Sequence, residues 1–210
     1  MFIKFCGFTR AKDVEFAAAL SISAVGFIFH PPSKRNVSPD QALELGALLK
    51  DTGILKVGVF VYQSASEIKD IAEQAGLDML QIYNHGLAGD LKSFRPLLFA
   101  HRIRENTSSE EIFFPSPPHL LLLDAFHPLE HGGTGDSFNW DFLDQLPSLD
   151  RTVIAGGITP HNVRVLLTHR RPYGIDISSG IESSPGIKDH KKMAAFIKTV
   201  QEKSGPVSPF

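Results

Sequence analysis

Short apolar runs recur along the chain at fairly even spacing, and they predict eight strands. The runs are continuous rather than alternating, and several are rich in Val, Ile and Phe, as is typical of strands buried on both faces. They cover residues 2–5, 24–29, 54–61, 79–82, 97–103, 120–123, 152–155 and 173–177. We therefore expect a sheet that is covered on both sides.

Helical patterns, with apolar residues three and four positions apart, lie between most of these strands. They span residues 11–20, 39–50, 65–74, 140–146, 161–169 and 189–202, while shorter or weaker patterns span 87–93 and 108–113. Ser38 before Pro39 and Thr159 before Pro160 are typical helix starts. Gly76 stands where the third helix should end.

The alternation of strands and helices predicts an α/β fold with a parallel sheet and right-handed crossovers. Eight such units close into a single (β/α)₈ TIM barrel, for which 210 residues is near the lower size limit. A doubly wound open sheet is the alternative, but its dinucleotide-binding glycines are absent after the first strand. We expect one barrel domain over residues 1–203, an active site at the carboxyl ends of the strands, and a frayed tail over 204–210.

Composition narrows the functional classes. The net charge of −2 comes from 21 basic and 23 acidic residues mixed along the chain, which argues against a nucleic-acid binder or a general membrane binder. No apolar run is long enough to cross a membrane, and the sequence starts directly on a strand, without a signal-peptide pattern. The single cysteine, Cys6, cannot form an intramolecular disulfide, which suits a reducing compartment. We therefore expect a cytoplasmic protein.

In barrels of this kind the catalytic groups lie at the carboxyl ends of the strands and in the loops that follow. This rule selects the polar side chains of Cys6, Arg35, Gln63, Asp124 and Asp176. A lone buried thiol is more often inert than catalytic, and Asp124, which ends a leucine run, could equally cap the next turn. The first and sixth strand ends, however, face each other across the barrel mouth. Cys6 and Asp124 would then flank one substrate, as proton transfer requires.

Two glycine-containing stretches predict a phosphate site after the last two strands, where such barrels usually bind phosphate. The first contains Gly156 and Gly157, and the second contains Ser178, Ser179 and Gly180. Glycines let backbone N–H groups approach an anion closely, and a helix N-terminus adds partial positive charge. Each stretch alone is also compatible with an ordinary turn, but the two together favour phosphate.

A third glycine-rich stretch, residues 132–137, lacks the Gly-Lys-Ser/Thr ending of a nucleotide-binding loop. Its three glycines in four residues suit a mobile lid over the barrel mouth, although the spacing fits a plain surface loop equally well. His127 and His131 are four apart, but Pro128 lies between them and glycines follow, so we expect no metal site.

Six ordered motifs resemble the phosphoribosylanthranilate isomerase family of tryptophan biosynthesis, and they cover nearly the whole chain. They are Lys-Phe-Cys-Gly at 4–7, Gly-Phe-Ile-Phe-His with Ser-Lys-Arg-Asn-Val-Ser at 26–30 and 33–38, Val-Gly-Val-Phe-Val at 57–61, Leu-Asp-Ala with Gly-Gly-Thr-Gly at 123–125 and 132–135, Ala-Gly-Gly-Ile-Thr-Pro-His-Asn-Val at 155–163, and Asp-Ile-Ser-Ser-Gly-Ile-Glu at 176–182. The resemblance also implies the (β/α)₈ fold.

The resemblance implies an intramolecular aldose–ketose (Amadori) rearrangement by general acid–base catalysis, with no metal and no cofactor. Cys6 would be the general base and Asp124 the general acid. Arg35 would hold the anthranilate carboxylate, while Gln81 and Asp176 would contact the rest of the substrate. The phosphate would be held by Gly156, Gly157, Ser178, Ser179 and Gly180. These roles require apolar surroundings to raise the pKa of Asp124, and nearby positive charge to lower the pKa of Cys6.

The chain departs from the family pattern at three places. After strand 4 the family usually reads Gln-Leu-His-Gly, whereas this chain keeps Gln81 and continues Ile-Tyr-Asn-His-Gly over 82–86. Asp136 stands where Lys is frequent in the family, and Asn139 where Asp is frequent. These differences bear on rate or specificity and leave the predicted acid and base in place.

Three other functions stay open. The sister isomerase of histidine biosynthesis shares the fold and reaction type but uses aspartates as both acid and base, so Cys6 argues against it. Indole-forming or indole-releasing barrels carry other carboxylates and lysines at their strand ends. A non-catalytic phosphosugar-binding module would keep the glycines and lose the acid or the base. As partners we expect a small phosphosugar substrate and other tryptophan-pathway enzymes, and neither nucleic acid nor membrane.

Overall fold

A closed barrel of eight parallel strands forms the centre of the computed structural model, which describes residues 1–125 and 139–204. Each strand pairs with the next one along the chain, and β1 also pairs with β8. The strands are β1 (Phe2–Cys6), β2 (Ala24–Ile28), β3 (Leu55–Phe60), β4 (Met79–Ile82), β5 (Leu97–Ile103), β6 (Leu120–Ala125), β7 (Thr152–Ile154) and β8 (Gly174–Ile177). The predicted barrel and its eight predicted strands are confirmed.

Alternate residues of a strand face opposite sides of the barrel wall, and this produces two separate cores. Outward-facing residues such as Ile3 and Phe5 pack with the helices in one large apolar cluster. Inward-facing residues form a smaller cluster inside the barrel, with Phe2 among its members. Because Phe2 faces inward, the same period turns Lys4 and Cys6 inward as well.

Within the described ranges the barrel is covered by α1 (Ala11–Ala18), α2 (Pro39–Ala47), α3 (Ala65–Gln74), α4 (Ala88–Leu91), α5 (Val163–His169) and α6 (His190–Ser204). Side-chain caps explain two of the starts. Ser38 accepts a hydrogen bond from the N–H of Gln41 at the start of α2, and Ser64 forms a reciprocal capping box with Glu67 at the start of α3. Gly76 has a φ of +59° just after α3, as its predicted place at the helix end requires.

Two segments predicted as α-helices form 3₁₀ turns instead, so these two predictions are wrong. Residues 108–113 contain a single turn at Ser109–Glu111, after which the backbone is extended. Residues 140–146 form a 3₁₀ helix that ends at Gln145. Leu146 precedes Pro147, and a residue before proline disfavours the helical conformation. The barrel does not depend on these turns, because neighbouring strands are joined directly by backbone hydrogen bonds.

A β-hairpin follows β8 and folds back against β1. Its strands are β9 (Glu182–Ser184) and β10 (Ile187–Lys188), and Lys188 Nζ donates a hydrogen bond to the backbone carbonyl of Cys6. The last helix, α6, continues through Ser204, the first residue of the predicted tail, and residues 205–210 lie outside the described residues. None of the helices in the described part of the chain is both long and apolar enough to span a bilayer.

Candidate active site

A cavity of about 700 Å³ opens at the carboxyl ends of the barrel strands, where this fold places its active sites. All predicted site residues except Gln63 and Gly180 line it, namely Cys6, Arg35, Gln81, Asp124, Gly156, Gly157, Asp176, Ser178 and Ser179. The barrel therefore brings residues from both ends of the chain to one concave surface.

Cys6 ends β1, is buried, and lines the cavity. Gly26 on β2 makes room for it, because a Cβ atom at Gly26 would lie 2.6 Å from Cys6 Sγ and 3.2 Å from Lys4 Cε. Burial raises the pKa of Cys6, and the cations of Lys4 and Lys188 oppose this rise without outweighing it. The expectation of a lowered thiol pKa is therefore wrong for this structure, since desolvation exceeds the effect of the nearby positive charges.

Lys4 lies inside the barrel, two residues before Cys6, and is fully buried. Its Nζ donates to Asp176 Oδ2 over 2.8 Å, and the two residues are neighbours across the β1–β8 pairing. Burial disfavours the charged lysine, but the negative charges of Asp176 and Cys6 outweigh it, so the pKa of Lys4 is raised. A buried cation is thus held next to the thiol.

Asp124 lies near the end of β6, where it is buried and lines the cavity. Burial raises its pKa to about 6, and the negative charge of Asp176 adds to the rise. Tyr83 Oη donates a hydrogen bond to Asp124 Oδ2 over 3.2 Å, which opposes it. The predicted rise in the pKa of Asp124 is confirmed, and at this pKa roughly a tenth of the carboxyl groups carry a proton at pH 7.

Arg35 lines the cavity, but its guanidinium group already has a carboxylate partner. Glu182 accepts hydrogen bonds from Arg35 Nε at 3.0 Å and Nη2 at 2.7 Å, and Lys188 Nζ lies 2.9 Å from the same carboxylate. Burial alone would raise the pKa of Glu182, but Arg35 and Lys188 outweigh it and lower the pKa. This buried cluster fixes Arg35 in one position at the cavity wall and ties the hairpin to the strand ends.

The two predicted phosphate loops lie against each other at one edge of the cavity. Gly156 and Gly157 have positive φ values of +80° and +61°, and a Cβ atom at Gly156 would overlap the backbone of Ala125. Gly180 packs against the carbonyl group of Ile158 too closely for any side chain. Gly180 therefore joins the two loops to each other and does not itself line the cavity.

Two buried acceptor atoms belong to residues that line the cavity. Gln81 Oε1 and Asp176 Oδ1 have no hydrogen-bond partner among residues 1–125 and 139–204. Buried acceptors without partners are rare and costly. These atoms therefore mark positions at which N–H or O–H groups of a ligand would bind.

Sequence reasoning missed Lys4, Glu182 and Lys188 as parts of the site. A signal for Lys4 was present, because two residues of separation in a strand place it on the same face as Cys6. Glu182 and Lys188 gave no such signal, because a lysine or glutamate just after a strand is usually a solvated residue. Their role depends on the hairpin that returns to β1.

Other expectations have different outcomes. Gln63 does not line the cavity; its Oε1 accepts hydrogen bonds from the N–H groups of Val61 and Tyr62 and braces the loop after β3. The Asn139 side chain accepts from the N–H of Asp141 at 3.0 Å and caps the turn that follows. The predicted lid at 132–137, with Asp136, and the histidines at 127 and 131 lie outside the described residues.

An eight-stranded parallel barrel with a thiol, two carboxyl groups and two glycine-containing loops around one cavity defines a (β/α)₈-barrel enzyme. A model of the family described as N-(5'-phosphoribosyl)anthranilate (PRA) isomerase matches residues 3–199. The chain belongs to that family, whose members are isomerases of tryptophan biosynthesis.

Individual relatives agree with this assignment. The chain is 39% identical to N-(5'-phosphoribosyl)anthranilate isomerase of Dechloromonas aromatica, over 95% of this chain and 96% of the relative. It is 35% identical to the enzyme of that name from Pelobacter propionicus, over 95% of each chain. Among solved structures, the phosphoribosyl anthranilate isomerase of Thermus thermophilus superposes with a TM-score of 0.85 at 31% identity, over 96% of this chain and 99% of that one.

Proposed function

We propose that the protein converts N-(5-phosphoribosyl)anthranilate to 1-(2-carboxyphenylamino)-1-deoxyribulose 5-phosphate in tryptophan biosynthesis. The observation that carries the proposal is the placement of Cys6 and Asp124 in one cavity, at the ends of β1 and β6. The choice of substrate is supported by the names of the relatives. It is also supported by a similar structure, 29% identical with a TM-score of 0.80, that is a complex with the reduced form of this product.

Asp124 supplies the first proton in this mechanism. Its carboxyl group protonates the furanose ring oxygen, and the C1–O bond breaks while the nitrogen lone pair forms a C=N bond to C1. The product of this step is an open-chain protonated Schiff base. A pKa of about 6 suits the step, because both the acid and its conjugate base are accessible near neutral pH.

The Cys6 thiolate then removes the proton from C2 of the sugar. The C–H electrons form the C1=C2 bond and the C=N electrons return to nitrogen, which gives an enolamine. The C2 hydroxyl proton passes to the Asp124 carboxylate and the Cys6 thiol returns a proton to C1, which gives the aminoketose and restores both groups. Because the pKa of Cys6 is raised, the thiolate is a minor form that Lys4 and Lys188 stabilise, and it is a correspondingly strong base.

The remaining cavity residues bind and orient the substrate. The phosphate binds at the backbone of Gly156 and Gly157 and at the loop of Ser178 and Ser179. The anthranilate carboxylate binds at the Arg35 guanidinium, which Glu182 holds in place. Donors on the substrate amine and sugar satisfy the two unpaired acceptor atoms, Gln81 Oε1 and Asp176 Oδ1.

Turnover of N-(5-phosphoribosyl)anthranilate, with chromatographic detection of the product, tests the proposal. We expect product from the wild-type protein at a higher kcat/KM than for the aminoaldose of histidine biosynthesis, because the base is a thiol rather than a carboxylate. A well-folded protein that forms no product would contradict the proposal. Binding of a phosphosugar without turnover would then favour the non-catalytic binding module.

A cytoplasmic location and association with other enzymes of tryptophan biosynthesis belong to the same proposal. The location is supported by the single cysteine, which suits a reducing compartment. The association is suggested by the shared pathway alone.

A further inference from the structure

The loop after β4 places a tyrosine, not a histidine, at the cavity. Tyr83 lines the cavity beside Gln81, because the two residues share the inward face at the end of this strand. His85 lies in the next turn, where its Nε2 is 3.0 Å from the carbonyl oxygen of Ala100, and its ring packs edge-on against Phe99. Tyr83 is therefore the residue of this loop that reaches the predicted acid.

Three contacts define the position of the Tyr83 hydroxyl group. Its Oη donates to Asp124 Oδ2 over 3.2 Å. Gln81 Nε2 faces the same Oη as a donor from 3.5 Å, longer than an ordinary N–H···O bond, and the phenol proton is directed away from it, towards Asp124. The guanidinium carbon of Arg102 lies 4.5 Å from the centre of the Tyr83 ring, where a cation strengthens the phenol as a donor.

The phenol stays a donor throughout the working pH range. Burial raises the pKa of Tyr83 well above its ordinary value, and the negative charge of Asp124 adds to the rise. Because Asp124 Oδ2 accepts this hydrogen bond, the proton of the neutral carboxyl group is favoured on Oδ1. The Tyr83 contact thus selects which oxygen of Asp124 can deliver a proton.

We propose that Tyr83 is a positioning residue for Asp124. The Tyr83 hydroxyl group fixes the orientation of the Asp124 carboxyl group and limits the affinity of that carboxyl group for a proton. The proposal rests on the acid role given to Asp124 above. The other charged groups that act on Asp124 are Asp176 from β8, Arg102 from β5 and Lys4 from β1. Asp176 favours the protonated form of Asp124, whereas Arg102, Lys4 and the Tyr83 phenol favour the carboxylate.

A Tyr83→Phe variant tests the proposal, because it removes the hydroxyl group and keeps the ring that Arg102 contacts. The direct readout is an infrared titration of the Asp124 carboxyl C=O stretch, isolated as the difference between each protein and the same protein carrying Asp124→Asn. Loss of one hydrogen bond to the carboxylate should move the midpoint upward by about one pH unit. Replacing residue 83 with 3-fluorotyrosine, a more acidic phenol and a stronger donor, should move it downward.

The control is Tyr173→Phe. Tyr173 lies at the other end of the barrel, where its ring stacks on Phe2 with centroids 5.9 Å apart. This variant should leave the midpoint of Asp124 unchanged. An unchanged midpoint in both the Tyr83→Phe protein and the fluorotyrosine protein would overturn the proposal.

The pH profile of kcat/KM gives a second readout that a merely structural role would not move. The pKa of Cys6 is raised, so activity climbs with pH as the thiolate grows, until Asp124 begins to ionise and the two effects cancel. The change of slope at low pH in the profile of kcat/KM therefore reports the pKa of Asp124. In Tyr83→Phe it should move to higher pH by the same amount as the infrared midpoint. If the infrared midpoint shifts in Tyr83→Phe but the wild-type protein shows no turnover, the proposed function is refuted, while the contact between Tyr83 and Asp124 is supported.

Discussion

Replacing Lys4 with methionine would remove the cation from a buried ion pair while keeping the unbranched side chain up to the ε position. Lys4 is 0% exposed and the Asp176 side chain 8% exposed, with 2.8 Å between Nζ and Oδ2. The other oxygen, Asp176 Oδ1, has no partner within the described ranges. Lys4→Met would therefore leave a buried carboxylate without the donor that now stabilises it.

The size of the effect follows from this geometry. At 2.8 Å two unit charges attract by about 6 kcal/mol for an effective dielectric constant of about 20. Desolvation of both groups offsets most of this attraction, so the net contribution of the intact pair is small. Removal of one partner leaves the desolvation of the other uncompensated, and we expect a loss of about 3–5 kcal/mol in the free energy of unfolding.

Urea denaturation of the wild type and Lys4→Met measures this loss. The matched control is Lys56→Met, because Lys56 pairs with Asp78 at 3.6 Å with side chains 26% and 39% exposed. A pair of that kind contributes about 0–1 kcal/mol. A double variant, Lys4→Met with Asp176→Asn, should recover part of the loss because it removes the unpaired charge. The reasoning would be refuted if Lys4→Met cost no more than Lys56→Met.

Two further predictions concern titrating groups. The alkylation rate of Cys6, the single cysteine of the chain, should rise with pH with a midpoint above about 8.5, the ordinary thiol pKa. Lys188→Met should raise this midpoint further. A midpoint below about 8.5 would contradict the claim that burial dominates the pKa of Cys6. The folded-state pKa of Asp124, about 6, lies above its unfolded value of about 3.9, so the wild type loses stability relative to Asp124→Asn as the pH rises through this window. Denaturation at pH 4 and pH 6 should show the difference changing by about 2 kcal/mol, and a constant difference would contradict the assigned pKa.

The barrel, and the presence of Cys6 and Asp124 at one cavity, could be predicted because they follow from local patterns. Continuous apolar runs identify buried strands, and the strand-end rule then places Cys6, Asp124 and Asp176 at one mouth. The helix at 108–113 was predicted wrongly, because Ser108 and Glu111 form a capping box around a single 3₁₀ turn and the backbone is extended after it.

The direction of the Cys6 pKa and the ion pairs of the site could not be predicted, because they depend on contacts between distant parts of the chain. Arg35 and Glu182 are 147 residues apart, and no local pattern shows that they meet. The pKa of Cys6 is decided by the balance between its burial and the charges of Lys4 and Lys188. That balance depends on how the hairpin folds back, so the sequence supported the thiol as a candidate base but not the direction of its pKa.

The central claim is that Cys6 and Asp124 act as base and acid on one bound substrate. The most direct measurement is kcat for N-(5-phosphoribosyl)anthranilate in Cys6→Ala and Asp124→Asn, with Asp144→Asn as the control, since the Asp144 side chain is 64% exposed on the surface. We predict losses of roughly a hundredfold or more in the first two proteins and none in the control. Full turnover by a folded Cys6→Ala or Asp124→Asn protein would contradict the claim.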